Sequence, residues 1–138
     1  MSVLTARSIA RKKQTADLLF ATRSDAKLQE GYNYISEYST TTTKNIIALA
    51  EANAESSHAE AVRYVLNHLE GVEVGIAAGI YDEVMLKRMW CSIVLQTFER
   101  TQPLIAAIRR KQAKETILQE FECLAQRWKK NPLIKRSA

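Results

Sequence analysis

Leu66-Asn67-His68-Leu69-Glu70 opens a segment that passes through Gly75-Ile76 and Gly79-Ile80-Tyr81-Asp82-Glu83 and closes at Phe121-Glu122-Cys123-Leu124-Ala125-Gln126-Arg127-Trp128. Its periodicity reads as helix, cap, helix, proline and helix. Val62, Val65, Leu66, Leu69, Val72 and Ile76 form one apolar stripe, the mark of a helix with a buried face. Ser57-His58-Ala59-Glu60 has capping-box spacing, which predicts the start of this helix and a run to about residue 78. Gly79 is placed to end it in the left-handed conformation, and Asp82 to cap a helix over residues 83–102. Pro103 either kinks that helix or opens another at its first turn. Arg109-Arg110-Lys111 suits a helix C-terminus, where the backbone dipole favours cations. Ile117, Phe121, Leu124 and Trp128 then mark one face of a last helix over residues 115–129, stopped by Asn131-Pro132.

Working outward, residues 5–22 read as a first helix and residues 26–38 as a second, with Ser24-Asp25 as the cap or break between them. Gly31 inside the second weakens it. Ser39-Thr40-Thr41-Thr42-Thr43 is a run of hydroxyl residues, poor in helix interiors and good at caps. It reads as a loop leading into a third helix over residues 44–54. The fold expected is all-α, a compact bundle of about six helices. Residues 1–131 form a single domain and residues 132–138 a basic, flexible tail. Trp90 and Trp128 are expected as core anchors.

The chain has 138 residues, 46% apolar and 25% charged, with only four glycines and two prolines. That suits one soluble domain with a real core and few short strands. No apolar run approaches the ~18 residues of a membrane span, and the basic N-terminus lacks the apolar stretch of a signal peptide. Cys91 and Cys123 sit in amphipathic patterns, which predicts buried thiols in a reduced, cytoplasmic protein. The net charge of +5 is segregated. Residues 1–23 carry five basic and one acidic side chain, residues 24–80 three and eight, and residues 81–138 twelve and six. Acidic and basic helices facing each other would produce this pattern, as would a basic surface made from both termini.

An ordered series of residues then points to a family. Arg11-Lys12 with Thr15 and Leu18, and Leu66-Asn67 with Glu70, are followed by Gly75-Ile76, Gly79, Asp82-Glu83-Val84 and Leu86. Pro103 and Arg109-Arg110 come next, then Phe121-Glu122, Leu124-Ala125 and Arg127-Trp128. The series resembles bacterial and phage proteins of domain-of-unknown-function family 4760, over roughly residues 7–130. The resemblance implies an all-helical architecture and a bacterial or mobile-element setting, and it supplies no enzymatic activity. Many relatives carry a transmembrane helix before the first basic helix. Only a few residues precede Arg7 here, so the comparison implies a soluble form. Gly71 stands where relatives tend to have a larger apolar residue.

The local chemistry is most unusual on the fourth helix. Asn67, Gly71, Gly75 and Gly79 recur every four residues and share a face. Each helical glycine costs about 1 kcal/mol against alanine, so a close approach is expected there: a neighbouring helix, a dimer partner or a ligand. Glu70 and Glu73 flank the apolar stripe, and a buried carboxylate needs a partner. The expectation is a structural pair of Glu70 with an arginine, from Arg63, Arg109, Arg110 or Arg127. Glu55-Ser56-Ser57-His58 has half of a carboxylate–histidine metal motif, but His68 lacks the second half. Zinc would need clustered Cys and His ligands. No Cys–His nucleophile and no phosphate-binding glycine loop is placed by the sequence. No metal or cofactor is therefore expected, and no catalytic residue.

These readings predict a non-enzymatic interaction protein, oligomeric, acting by binding or masking a protein partner, for instance in phage defence or counter-defence. Asn67, Glu70, Gly71, Gly75, Gly79, Arg109, Arg127 and Trp128 are its structural or partner-binding candidates. A nucleic-acid-associated regulator is the alternative, using Arg7, Arg11, Lys12 and Lys13 with Arg109, Arg110 and Lys111 on phosphates. A third reading is a small-molecule sensor with a pocket along the glycine face.

Overall fold

The computed structural model describes residues 2–51 and 53–137. Five α-helices follow one another: α1 (Val3–Arg23), α2 (Ala26–Thr40), α3 (Ser56–Ala77), α4 (Glu83–Gln112) and α5 (Gln119–Lys130). A short 3-10 turn, Ile46–Ala50, lies between α2 and α3. The fold is all-α, with no strand among the described residues.

Helix α3 is the centre. Val62, Val65, Leu66, Leu69 and Val72 are all buried, so its whole apolar stripe is covered. Helix α2 crosses its first half and α5 lies along its second half. The crossing of α2 depends on Gly31. A Cβ there would strike the Ala61 carbonyl and the Val65 side chain. The residue that weakens α2 as a helix is thus the one that lets α2 reach α3. Phe121, Leu124 and Trp128 of α5 are fully buried, and the Phe121 ring meets Phe98 edge-on at 5.4 Å.

The caps show why the elements end where they do. Asp25 accepts from Leu28 N–H and Asp82 from Met85 N–H, both at 3.0 Å. Gly79 is left-handed at φ 77°. Its N–H donates to Ile76 and that of Ile80 to Gly75, the paired bonds of a glycine-terminated helix. The same pattern ends α4 without a glycine. Ala113, at φ 51°, donates to Arg110, and Lys114 donates to Arg109.

Several expectations are corrected. The third helix, expected over residues 44–54, is a 3-10 turn opened by Asn45, whose side chain accepts from Ile47 N–H; residue 52 of that span lies outside the described residues. The Ser57–Glu60 capping box does not form. α3 begins at Ser56 behind Glu55, with no side-chain cap bond. Pro103 does not open a new helix: it lies inside α4, which runs for 30 residues through the end expected at residue 102. The buried faces on either side, Val94 and Thr97 before it and Leu104 and Ile108 after it, hold the segment together despite the missing N–H. The last helix starts at Gln119 rather than 115, since Leu118 is left-handed at φ 59° and buried. Cys91 is buried but Cys123 is exposed. Trp128 is a core residue, whereas Trp90 is only half-buried.

Candidate functional site

The densest polar contact joins α3, α4 and α5. Arg127 donates to both oxygens of Glu73, at 2.5 and 2.7 Å, and its Nε donates to Glu83 at 2.7 Å. The Trp128 indole N–H reaches the same Glu83 oxygen at 2.7 Å. Glu73 is buried, so a forked guanidinium is the partner its desolvation requires. These hydrogen bonds, those from Glu73 foremost, raise the Arg127 pKa despite its partial burial. Each nitrogen of the Arg127 guanidinium and the Trp128 indole nitrogen donates to a carboxylate, so the arrangement locks three helices.

Glu70 has a different partner from the one expected. It accepts from Phe121 N–H at 2.6 Å, which caps α5 from a neighbouring helix and satisfies one of its orphan donors. Burial pushes the Glu70 carboxyl above its ordinary value, and the Phe121 bond opposes this. The paired carboxylate is Glu73. The two lie three residues apart on one side of α3 and both meet α5, Glu70 at its start and Glu73 near its end; helical spacing does not by itself say which one the arginine reaches.

The glycine face divides into three. At Gly71 an added Cβ would meet nothing within 4 Å. Gly75 is covered by the ring of Tyr81, from the turn after α3, so no neighbouring helix is what approaches there. Gly79 is exposed in its turn, and its carbonyl accepts from Arg11 Nε at 3.1 Å. Asn67 is exposed, at the rim of a shallow groove it shares with Arg63 and Lys111.

The basic residues fall at two ends of the molecule. Arg109 donates to Ile117 carbonyl at 2.8 Å and pairs with Glu122 at 3.2 Å. Lys111 donates to Ala50 carbonyl at 2.9 Å and lies 3.6 Å from Glu51. Arg110 is exposed beside them. At 1.5 Å per residue, this end of α4 is about 40 Å from Asp82. Arg7, Arg11, Lys12 and Lys13 belong to the other end. Asp82 N–H donates to Thr15 Oγ1 at 2.7 Å, and Arg7 and Arg11 line a depression with Ala78, Gly79 and Ile80. The C-terminus of α5 comes to this end too, through the Arg127–Glu83 and Trp128–Glu83 contacts. The candidates grouped for nucleic acid are therefore not one surface. Lys87 and Arg88 of α4 follow Asp82 within six residues, whereas Lys129 of α5 lines a hollow with Leu95, Phe98, Glu99 and Gln102, farther along α4.

A cleft of about 290 Å³ opens under the second half of α1, walled by Leu19, Leu28, Ile93 and Trp90 with Tyr32 and His68. Burial lowers the His68 pKa, with Asp25 opposing, and pushes Tyr32 up to about 12. His68 meets Trp90 edge-on at 5.8 Å. The other histidine, His58, is held by Glu55 at 2.9 Å and by Tyr38 Oη at 3.1 Å and is stacked on Tyr34. Among the described residues no three of His, Cys, Asp and Glu are grouped to hold a metal ion. No helix among them is long and apolar enough to cross a membrane.

A family model, the domain of unknown function DUF4760, matches residues 1–128. The chain belongs to this family. The match takes in all of α1–α4 and most of α5, including Glu73, Glu83, Arg127 and Trp128. No curated protein and no solved structure matches the chain, so the family carries an architecture without a named activity.

Proposed function

We propose that this protein is a non-enzymatic binding module that docks a larger anionic partner through the end where α1, the Gly79 turn and the α5 C-terminus meet. The observation that carries this is the contrast between its two basic ends. Arg109 and Lys111 are tied into the fold. At the Gly79 end, Arg7, Lys13, Lys87 and Arg88 form no ion pair among the described residues. Asp82 is held there as a cap and Glu73 and Glu83 with Arg127, which leaves exposed Asp17, one turn from Lys13, as the acidic side chain of α1. Unneutralised charge at one end steers an anionic surface to that end. The reading keeps the interaction-protein expectation and moves its surface away from the glycine face.

The test is chemical-shift mapping of the full chain with poly-glutamate at low and high salt. Perturbations at Arg7, Lys13, Lys87 and Arg88 that fade with salt are expected. Shifts centred on Arg110 and Lys111, or none at low salt, overturn the reading.

A second reading rests on the cleft at His68. Apolar walls dominate it, with Thr22, Arg23 and Gln29 also lining it, and neither the Tyr32 nor the His68 shift includes a hydrogen bond. A small aromatic ligand with one acceptor group would fit such a lining. Benzoate titration that alters Trp90 fluorescence, and fails to do so in Trp90→Phe, supports it; an unchanged spectrum removes it.

A further inference from the structure

The unneutralised end is apolar as well as basic. Val3 and Leu4, in the first turn of α1, are 68% and 77% exposed. Ile80 in the turn and Val84 in α4 are 49% and 65% exposed. Val3 and Leu4 precede Arg7 at the tip of α1, Ile80 lines the depression that holds Arg7 and Arg11, and Val84 follows Asp82, whose N–H is bonded to Thr15 of α1. We infer that this end is a docking surface for an anionic lipid bilayer, its aliphatic tips entering the headgroup layer while Arg7, Lys12 and Lys13 contact phosphates.

This rests on the docking reading above and names its partner. Three properties favour a bilayer over the alternatives. A stacking platform for nucleic acid needs exposed aromatic rings, whereas the tips here are valine, leucine and isoleucine. A folded acidic protein would match the charge and leave several separate apolar tips without a common pocket. A bilayer accepts isolated aliphatic side chains anywhere along its plane and attracts lysine and arginine through its surface potential. Thr15, bonded to Asp82, anchors α1 to the body, and Val3 lies twelve residues before it, about 18 Å farther along the helix axis. Residues 2–7 are all exposed, so the tip of α1 stands clear enough to reach into a headgroup layer. No helix need span the membrane.

The experiment is co-sedimentation of the full chain with phosphatidylglycerol vesicles and with phosphatidylcholine vesicles, beside pull-down on duplex DNA and on poly-glutamate. Binding to the anionic vesicles, weakened by salt and at least tenfold stronger than to the neutral ones, is expected. Each of Lys12→Ala and Lys13→Ala should weaken it about fivefold. Leu4→Asp should weaken vesicle binding by about tenfold or more, and the uncharged Leu4→Gln, which adds no repulsion, should still weaken it about fivefold. Leu4 is exposed, so its circular dichroism should match that of the parent. No binding to anionic vesicles, equal binding to neutral ones, or indifference to Leu4→Asp overturns the lipid assignment. Poly-glutamate or DNA retained without vesicles leaves the docking reading standing. Retention by none of the ligands removes both.

Discussion

Arg127 reaches two carboxylates on two helices, and only one of them, Glu73, is buried. Arg127→Leu would strand that carboxylate away from water. Because Arg127 keeps solvent contact, the expected loss is about 2–3 kcal/mol, below the roughly 3–5 kcal/mol of a fully buried pair. Adding Glu73→Leu to that variant should recover most of the loss, since two apolar side chains then share the space. Urea unfolding of the two singles and the double decides it, and simply additive losses would sink the account. His68 gives a second prediction at this scale. Burial lowers its pKa from 6.5, so the unfolded chain binds the proton more tightly than the folded one. Stability from this residue is present above pH 6.5 and is lost as pH falls through the lowered folded value. The urea midpoint should therefore drop between about pH 7.5 and pH 5.5, and His68→Phe should remove that part of the drop. Glu70, its carboxyl raised, acts in the opposite direction. Its ionised form opposes folding as pH rises from the carboxylate range, so the histidine is best read above that range.

At the scale of the elements, two glycines of equal helical cost should respond with opposite signs. Gly71→Ala adds a methyl where nothing lies within 4 Å, so it should stabilise by about 0.5–1 kcal/mol. Gly31→Ala gains the same propensity and collides with the Ala61 carbonyl and Val65. The overpacking cost of about 1–3 kcal/mol should win. Thermal melts of both variants test the pair, and a stabilised Gly31→Ala would mean that α2 does not cross α3 as described. The same contrast shows what the sequence made legible. Asp25, Asp82 and Gly79 act through neighbours within four residues, and each sits where its local chemistry places it. The stripe of α5 was equally clear, because Phe121, Leu124 and Trp128 repeat on one face. What stayed hidden was decided by distant residues. Gly31 looks like a flaw until Ala61 is beside it, and Pro103 looks like a break until the buried residues on both sides of it are seen. The choice between Glu70 and Glu73 as partner of Arg127 turns on how α5 is placed lengthwise along α3, since both carboxylates meet α5. The basic residues of α1 and of the start of α4 were far apart in the sequence, and only the Thr15–Asp82 and Arg11–Gly79 bonds bring them to one end.

For the molecule as a whole, α1 stands apart from the other helices. Only Thr15 of its residues is buried. Its links to the body are the Thr15–Asp82 and Arg11–Gly79 bonds and the packing of Leu18 and Leu19. Helix α3, by contrast, is covered by α2 and α5 along its apolar stripe. A helix with so little buried surface can open while the rest stays folded, because local stability follows local burial. Native-state hydrogen exchange should show this directly. Amides of residues 6–13 should exchange through a local opening well below the global unfolding free energy, and those of residues 65–72 only through global unfolding. Arg127→Leu supplies the control, since it weakens the α3–α5 contact and leaves α1 untouched. It should lower protection across residues 65–72 by its full destabilisation and leave residues 6–13 unchanged. Anionic vesicles should do the reverse, slowing exchange in residues 6–13 because contact with a surface restrains the helix tip. Protection in α1 equal to that in α3, or an α1 that responds to Arg127→Leu in step with α3, would show that the basic end is an integral part of the core, not a projecting arm.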